Sequence, residues 1–135
     1  MGLGLSHGDF HTAYSGFYNW RNRIAKDGGY ELKEYEWERH SVTLTKEWAD
    51  IDWDIYTQDN YDGIWEETPE DILLVLIVHQ DCEGIITNEH CYPLAIRLKE
   101  IHENSSGDKW HNDLTKKFIV SLMEAYESGE DLEFC

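Results

Sequence analysis

Basic side chains are scarce in this 135-residue chain, where 11 lysines and arginines stand against 28 aspartates and glutamates for a formal charge of −17 at pH 7. Nucleic-acid binding needs a basic surface that neutralises phosphates and releases counterions, so the balance argues against a general nucleic-acid binder. Cysteine is also sparse. Cys82, Cys91 and Cys135 are an odd number with no framework spacing, which points to reduced thiols rather than structural disulfides. Long apolar runs are missing too. The longest, Ile72 to Val78, holds seven residues, far short of the roughly 20 that cross a bilayer. The amino terminus has no basic-then-apolar leader pattern, and a soluble intracellular protein with no membrane partner is expected. Finally, GxxxxGK[ST], GxGxxG after a strand, HExxH and GxSxG are all absent, which removes the common signatures of nucleotide hydrolases, dehydrogenases and proteases.

What the chain does have is organised around Ile72 to Ile86, where the apolar run leads straight into His79, Asp81, Cys82 and Gly84. Burying that run contributes roughly 1.5–3 kcal/mol per large side chain. The polar residues at its end then mark where the core reaches the surface, the usual place for a pocket. At this length one domain, 1–135, can bury about two-thirds of its unfolded surface. Charge is distributed unevenly. Residues 1–29 carry three basic and two acidic side chains, 30–71 three and fourteen, and 72–135 five and twelve. An anionic ligand would favour the amino-terminal segment.

In chain order, Met1 to Gly8 reads as an ordered, glycine-rich arm. Ser6 or Asp9 can cap a helix to about Lys26, with Ala13, Phe17, Trp20 and Ile24 on one face. That helix is either an ordinary core helix or one whose Tyr14, Trp20 and Arg21 present rings and a guanidinium to a planar, anionic ligand. Tyr30 to Glu67 mixes periods: Ser41 to Thr45 alternates like a strand, Trp48, Ile51 and Ile55 suit a helix face, and Gln58 to Gly63 suits a turn. A charge run of this kind is usually a solvated face, with a negatively charged binding surface as the alternative. Thr68-Pro69-Glu70-Asp71 reads as a helix start, predicting a buried helix over about 69–80 with a central strand as competitor. Thr87 or Asn88 opens another helix, with Leu94, Leu98 and Ile101 inward. A last one, about Asp108 to Ser128, carries Trp110, Leu114, Phe118, Leu122 and Tyr126, ends at Gly129 and leads to an edge strand, Asp131 to Cys135, able to pair with the amino-terminal arm. The expected class is α+β: a compact, mainly helical domain with a small β element from the termini and the 30–45 region.

Two local chemistries can be read from residue type. His79, Cys82, His90 and Cys91 are potential zinc ligands, though no C-x-x-C pair closes a knuckle. Cys82 with His79 three residues earlier could form a thiolate and base, though nothing identifies an acid to orient the imidazole or an oxyanion hole. Binding without catalysis, metal or cofactor is the expectation.

Two segments, GLGLSHG with YSGFYNWR and HQDCEGII with CYPLAIRL, resemble a family of small tailed-bacteriophage proteins with the pattern GLSHG, YSxFxxWR and HxDC[DE]GxI. The match leaves Tyr30 to Glu67 uncovered. The resemblance implies an anti-defence accessory protein in the cytoplasm of an infected bacterium, one that sequesters a nucleotide-derived immune signal, such as a cyclic ADP-ribose isomer or cyclic oligonucleotide, without cleaving it. His7, Tyr14, Trp20, Arg21, His79, Asp81 and Arg97 would then line one pocket. Arg21 and Arg97 would hold phosphate, Tyr14 and Trp20 would stack on the base, and His79 with Asp81 would bond sugar hydroxyls. The alternative is an acidic protein that blocks a host defence protein by surface contact or nucleic-acid mimicry. A homo-oligomer is compatible with either.

Overall fold

Amphipathic helices carry much of the apolar surface that this sequence has to hide. The computed structural model describes residues 2–30, 33–34, 42–43, 53–55, 57–80, 83–104 and 108–135. In order, the elements are β1 (Gly2–Gly4), β2 (His11–Ala13), α1 (Tyr14–Asp27), β3 (Lys33–Glu34), β4 (Val42–Thr43), a 3-10 turn (Trp53–Ile55), α2 (Gln58–Tyr61), α3 (Leu74–Ile77), β5 (Ile85–Ile86), α4 (Asn88–Glu103), α5 (Lys109–Ser128) and β6 (Leu132–Glu133). The class is α+β, with helices dominant and the strands very short. Among the described residues no helix is long and apolar enough to cross a membrane.

The last helix forms where its pattern predicts. Asp108 caps it by accepting from the His111 N–H at 2.8 Å, and Gly129 ends it in the left-handed conformation. Its inward face includes Leu114, Phe118, Leu122 and Ala125, but Trp110 and Tyr126 are about half exposed. A four-residue step advances about 40° beyond a full turn, so residues eight positions either side of Phe118 swing some 80° off its direction. α4 packs along α5, burying Leu94, Leu98 and Ile101 as expected.

α1 differs from its sequence reading at its start. His11–Ala13 pair antiparallel with Gly2–Gly4, so the chain enters the helix from a hairpin, and neither Ser6 nor Asp9 caps it. The hydroxyl of Ser6 instead accepts the Glu133 N–H. Phe17, Trp20 and Ile24 are fully buried, each contributing roughly 1.5–3 kcal/mol. Trp20 packs on Phe118 with ring centroids 4.9 Å apart, and its indole N–H donates to Thr115 at 2.9 Å, so the one polar atom it takes inside is satisfied.

The seven-residue apolar run is largely buried, Ile72 and Leu74 only in part, but not as a 69–80 helix. Only Leu74–Ile77 is α-helical, flanked by turns whose bonds run to the third residue back, such as Leu74 N–H to Asp71 and His79 N–H to Leu76. Thr68 does not cap it. Asp71 sits at the start instead, accepting from Leu73 N–H at 3.0 Å, while Thr68 bonds His90. The result is one helical turn sunk into the core, with Leu73, Val75 and Leu76 fully buried.

The expected pairing of the chain's ends is present. Leu5 bridges Phe134, Gly4 and Cys135 exchange two backbone bonds of 2.9 and 3.0 Å, and β6 also pairs with β5. In the 30–45 region β3 and β4 pair antiparallel. Gln58 to Gly63, read as a turn, is the short helix α2 capped by Thr57 followed by a turn. Trp37, Trp48 and Ile51 lie outside the described residues.

Two glycines with positive φ make opposite demands. A Cβ on Gly63 would lie 1.5 Å from the Ile85 carbonyl oxygen, whereas one on Gly129 meets nothing within 4 Å. Gly129→Ala should therefore cost about 1–2 kcal/mol of backbone strain alone, and Gly63→Ala well over twice as much. Paired urea melts of the two variants measure the difference.

Candidate functional site

The residues assigned to a ligand from sequence are, for the most part, engaged in holding the fold. Trp20 has no exposed surface, which corrects its role as a stacking platform: the indole packs within the core. Tyr14 is partly buried and packs on that core. Arg21 has its guanidinium carbon 5.2 Å from the Phe17 ring centroid and donates to the backbone carbonyl of His79. Arg97 donates to Asp71 at 3.3 Å and to the Gly28 carbonyl at 3.2 Å, tying α4 to the end of α1 and to the start of α3. Asp81 and Cys82 lie outside the described residues.

His79 is buried within the turn that follows α3. Nδ1 is 2.9 Å from the Gln80 carbonyl and Nε2 2.9 Å from the Ile85 carbonyl, and the ring stacks on Phe134 at 4.1 Å. A neutral imidazole has one N–H, so only one of these two carbonyls can receive a proton from it. Burial holds the His79 pKa below the ordinary value; the two carbonyls and Asp62 oppose that, and Arg21 reinforces it. His90 is likewise taken up, between Thr68 at 3.1 Å and Thr87 at 3.1 Å, and burial lowers its pKa. The Cys91 thiol points at the Ile86 carbonyl, and burial pushes its pKa up to about 11, so it is a poor nucleophile at neutral pH. Among the described residues no three His, Cys, Asp or Glu side chains gather as a metal site.

His7 stands apart from this turn's interior. It pairs with Glu130 at 3.1 Å and lines a small cavity of about 490 Å³ together with Ser6, Ile85, Asp131 and Glu133. His79 lies behind that lining, bonded to the Ile85 carbonyl and stacked on Phe134, and it does not line the cavity itself.

The larger concavity is a cleft of about 1270 Å³ built from the segment read least well in the sequence. Its walls carry six carboxylates, Asp54, Asp59, Glu66, Glu67, Glu70 and Asp71, alongside the apolar Ile55, Ile64, Trp65 and Leu74. No lysine or arginine is among its described lining residues. Within it Tyr30 donates to Asp71 at 2.7 Å, and Asp71 is also paired with Arg97, which is not on the lining. Burial alone would raise the Asp71 pKa, but the Leu73 N–H, Arg97 and the Tyr30 hydroxyl together bring it below the ordinary 3.8. Burial and Asp71 in turn push the Tyr30 phenol upward. None of the described residues chosen from sequence as ligand contacts lines this cleft. The available signal was the charge of segment 30–71 together with its tryptophans. Compared with protein-family models, curated proteins and solved structures, the chain matches none.

These pairings set two pH responses. Because the folded Asp71 pKa lies below its unfolded value, its contribution is complete above that unfolded value and is lost as pH falls through the folded one. Arg97→Ala should cost about 1.5–3 kcal/mol at pH 7 and flatten the acid side of the stability curve, as read by urea melts between pH 7 and 3. For His79 the sign is the same but the window is higher: a lowered folded pKa leaves its contribution complete above about 6.5 and lost as pH drops below it. Between about pH 7.5 and 5.5 the wild type should therefore lose more stability than His79→Gln, since the variant lacks that proton uptake.

Proposed function

We propose that the protein acts by binding, without catalysis, and that its functional surface is the acidic cleft, which engages a cationic partner. The observation that carries this is the lining itself: six carboxylates beside an apolar group, with no basic residue among the described ones. Such a wall repels anions and concentrates cations, while the apolar residues supply contact area on which affinity depends. On the bacteriophage resemblance, the partner is the basic face of a host defence protein, met inside the infected cell. Contact there blocks the face or mimics the nucleic acid it would otherwise hold.

Sequestration of a nucleotide-derived signal is the other reading the resemblance implies. It depends on arginines held open toward a cavity, whereas Arg21 and Arg97 bond the His79 carbonyl and Asp71 and neither lines the cleft. The acidic reading is the better supported of the two. A hydrolytic role for Cys91 is disfavoured by a thiol pKa pushed up to about 11.

The test is calorimetry with an acetylated hexa-lysine peptide at several salt concentrations. Because any strongly acidic protein attracts such a peptide, two triple variants are compared: Glu66→Lys, Glu67→Lys, Glu70→Lys in the cleft, and Glu100→Lys, Glu103→Lys, Glu124→Lys on the exposed helix faces. The cleft reversal should weaken binding more than tenfold and the helix reversal less than threefold. Equal losses in the two variants, or binding of cyclic nucleotides in place of the peptide, would overturn the proposal.

A further inference from the structure

We infer that the cleft selects arginine over lysine and that Trp65 is the selecting residue; this rests on the cleft being the binding surface. Trp65 stands between the exposed Ile64 and the carboxylates of Glu66 and Glu67, all on the cleft lining. Its Nε1 is buried and without a hydrogen-bond partner among the described residues, while the residue as a whole is partly exposed. The indole packs in part on the hydrophobic core, and with its only polar atom buried, what it shows to the cleft is carbon.

Carboxylates attract lysine and arginine alike by charge and favour arginine only where its fork binds bidentately, so long-range attraction does not discriminate between them. An aromatic surface does. A guanidinium is planar and weakly hydrated, and can lie over a ring while its N–H fork still points at a carboxylate; a compact ammonium holds its water more tightly and has no flat face to stack. Glu66 and Glu67 beside the indole offer both halves of that recognition. The apolar neighbours Ile64 and Leu74 act in the same direction, since the less hydrated cation gives up less water on approaching them. The chain already uses this pairing internally, where the Arg21 guanidinium lies over Phe17.

The experiment is calorimetry of acetylated hexa-arginine and hexa-lysine against the full chain, Trp65→Leu and Trp65→Phe, with thermal melting to confirm that each variant folds. The wild type should bind the arginine peptide about three- to tenfold more tightly. Trp65→Leu should lower the ratio severalfold by weakening the arginine peptide while leaving lysine binding nearly unchanged, and Trp65→Phe should leave an intermediate ratio. Equal affinities in the wild type, or a ratio undiminished in the variants, overturns the inference. Should Trp65→Leu fail to fold, Trp65→Phe decides: a ratio equal to that of the wild type sinks it. Equal affinities in the wild type with lysine binding still dependent on the cleft remove only the role of Trp65. Lysine binding that ignores the cleft reversals removes the cleft as well.

Discussion

The burial of Trp20 is the constraint on which the rest depends. Its indole lies among Phe10, Phe17 and Phe118, at 5.5, 5.8 and 4.9 Å between centroids, and its N–H is bound to Thr115. That single side chain therefore fixes α1 against α5 both by area and by direction. Phe134 packs edge-on against Phe17 at 5.7 Å and brings the end of the chain with it, so the two termini pair beside the same cluster. His79 in turn stacks on Phe134. The turn after α3 is held by this aromatic series rather than by a regular element of its own.

Once α3 and its turn are placed, polar groups at both ends of that segment and at the end of α1 have to be satisfied, and two of the chain's few cations are drawn in to do it. Arg21 serves the His79 carbonyl, and Arg97 serves Asp71 and the Gly28 carbonyl. An unpaired buried acceptor or carboxylate costs more than a surface charge contributes, so these contacts outrank any exposed role for the two residues. The consequence is electrostatic. Asp71 is paired with Arg97, while Glu66, Glu67 and Glu70 stay exposed on the same cleft. The negative sign comes from composition, and what the pairings add is that neither Arg21 nor Arg97 stands on the cleft lining to offset it.

Much of the fold was legible. α4 and α5, with their inward faces, follow from apolar spacing and from Asp108 and Gly129 at the ends of α5. The pairing of the termini follows from alternation in the last five residues and glycine in the arm. The site was far less legible. Trp20 and Arg21 on neighbouring faces of an amphipathic helix read equally well as core or as ligand contacts, because periodicity says which side of a helix is apolar and not what lies against it. Thr68 and Asp71 both suit a helix cap, and only the position of His90 decides that Thr68 is used elsewhere. The segment from Tyr30 to Glu67 had no single period, so its residues could not be assembled into walls.

By itself the sequence determined the sign of the surface, the helical faces and the burial of Ile72 to Val78, because these depend on composition and on neighbours along the chain. Tertiary structure alone decided which polar groups are taken up inside. Contacts such as Arg97 with Asp71, Trp20 with Thr115 and His79 with Ile85 join residues whose proximity is set by packing, and local pattern carries no record of them.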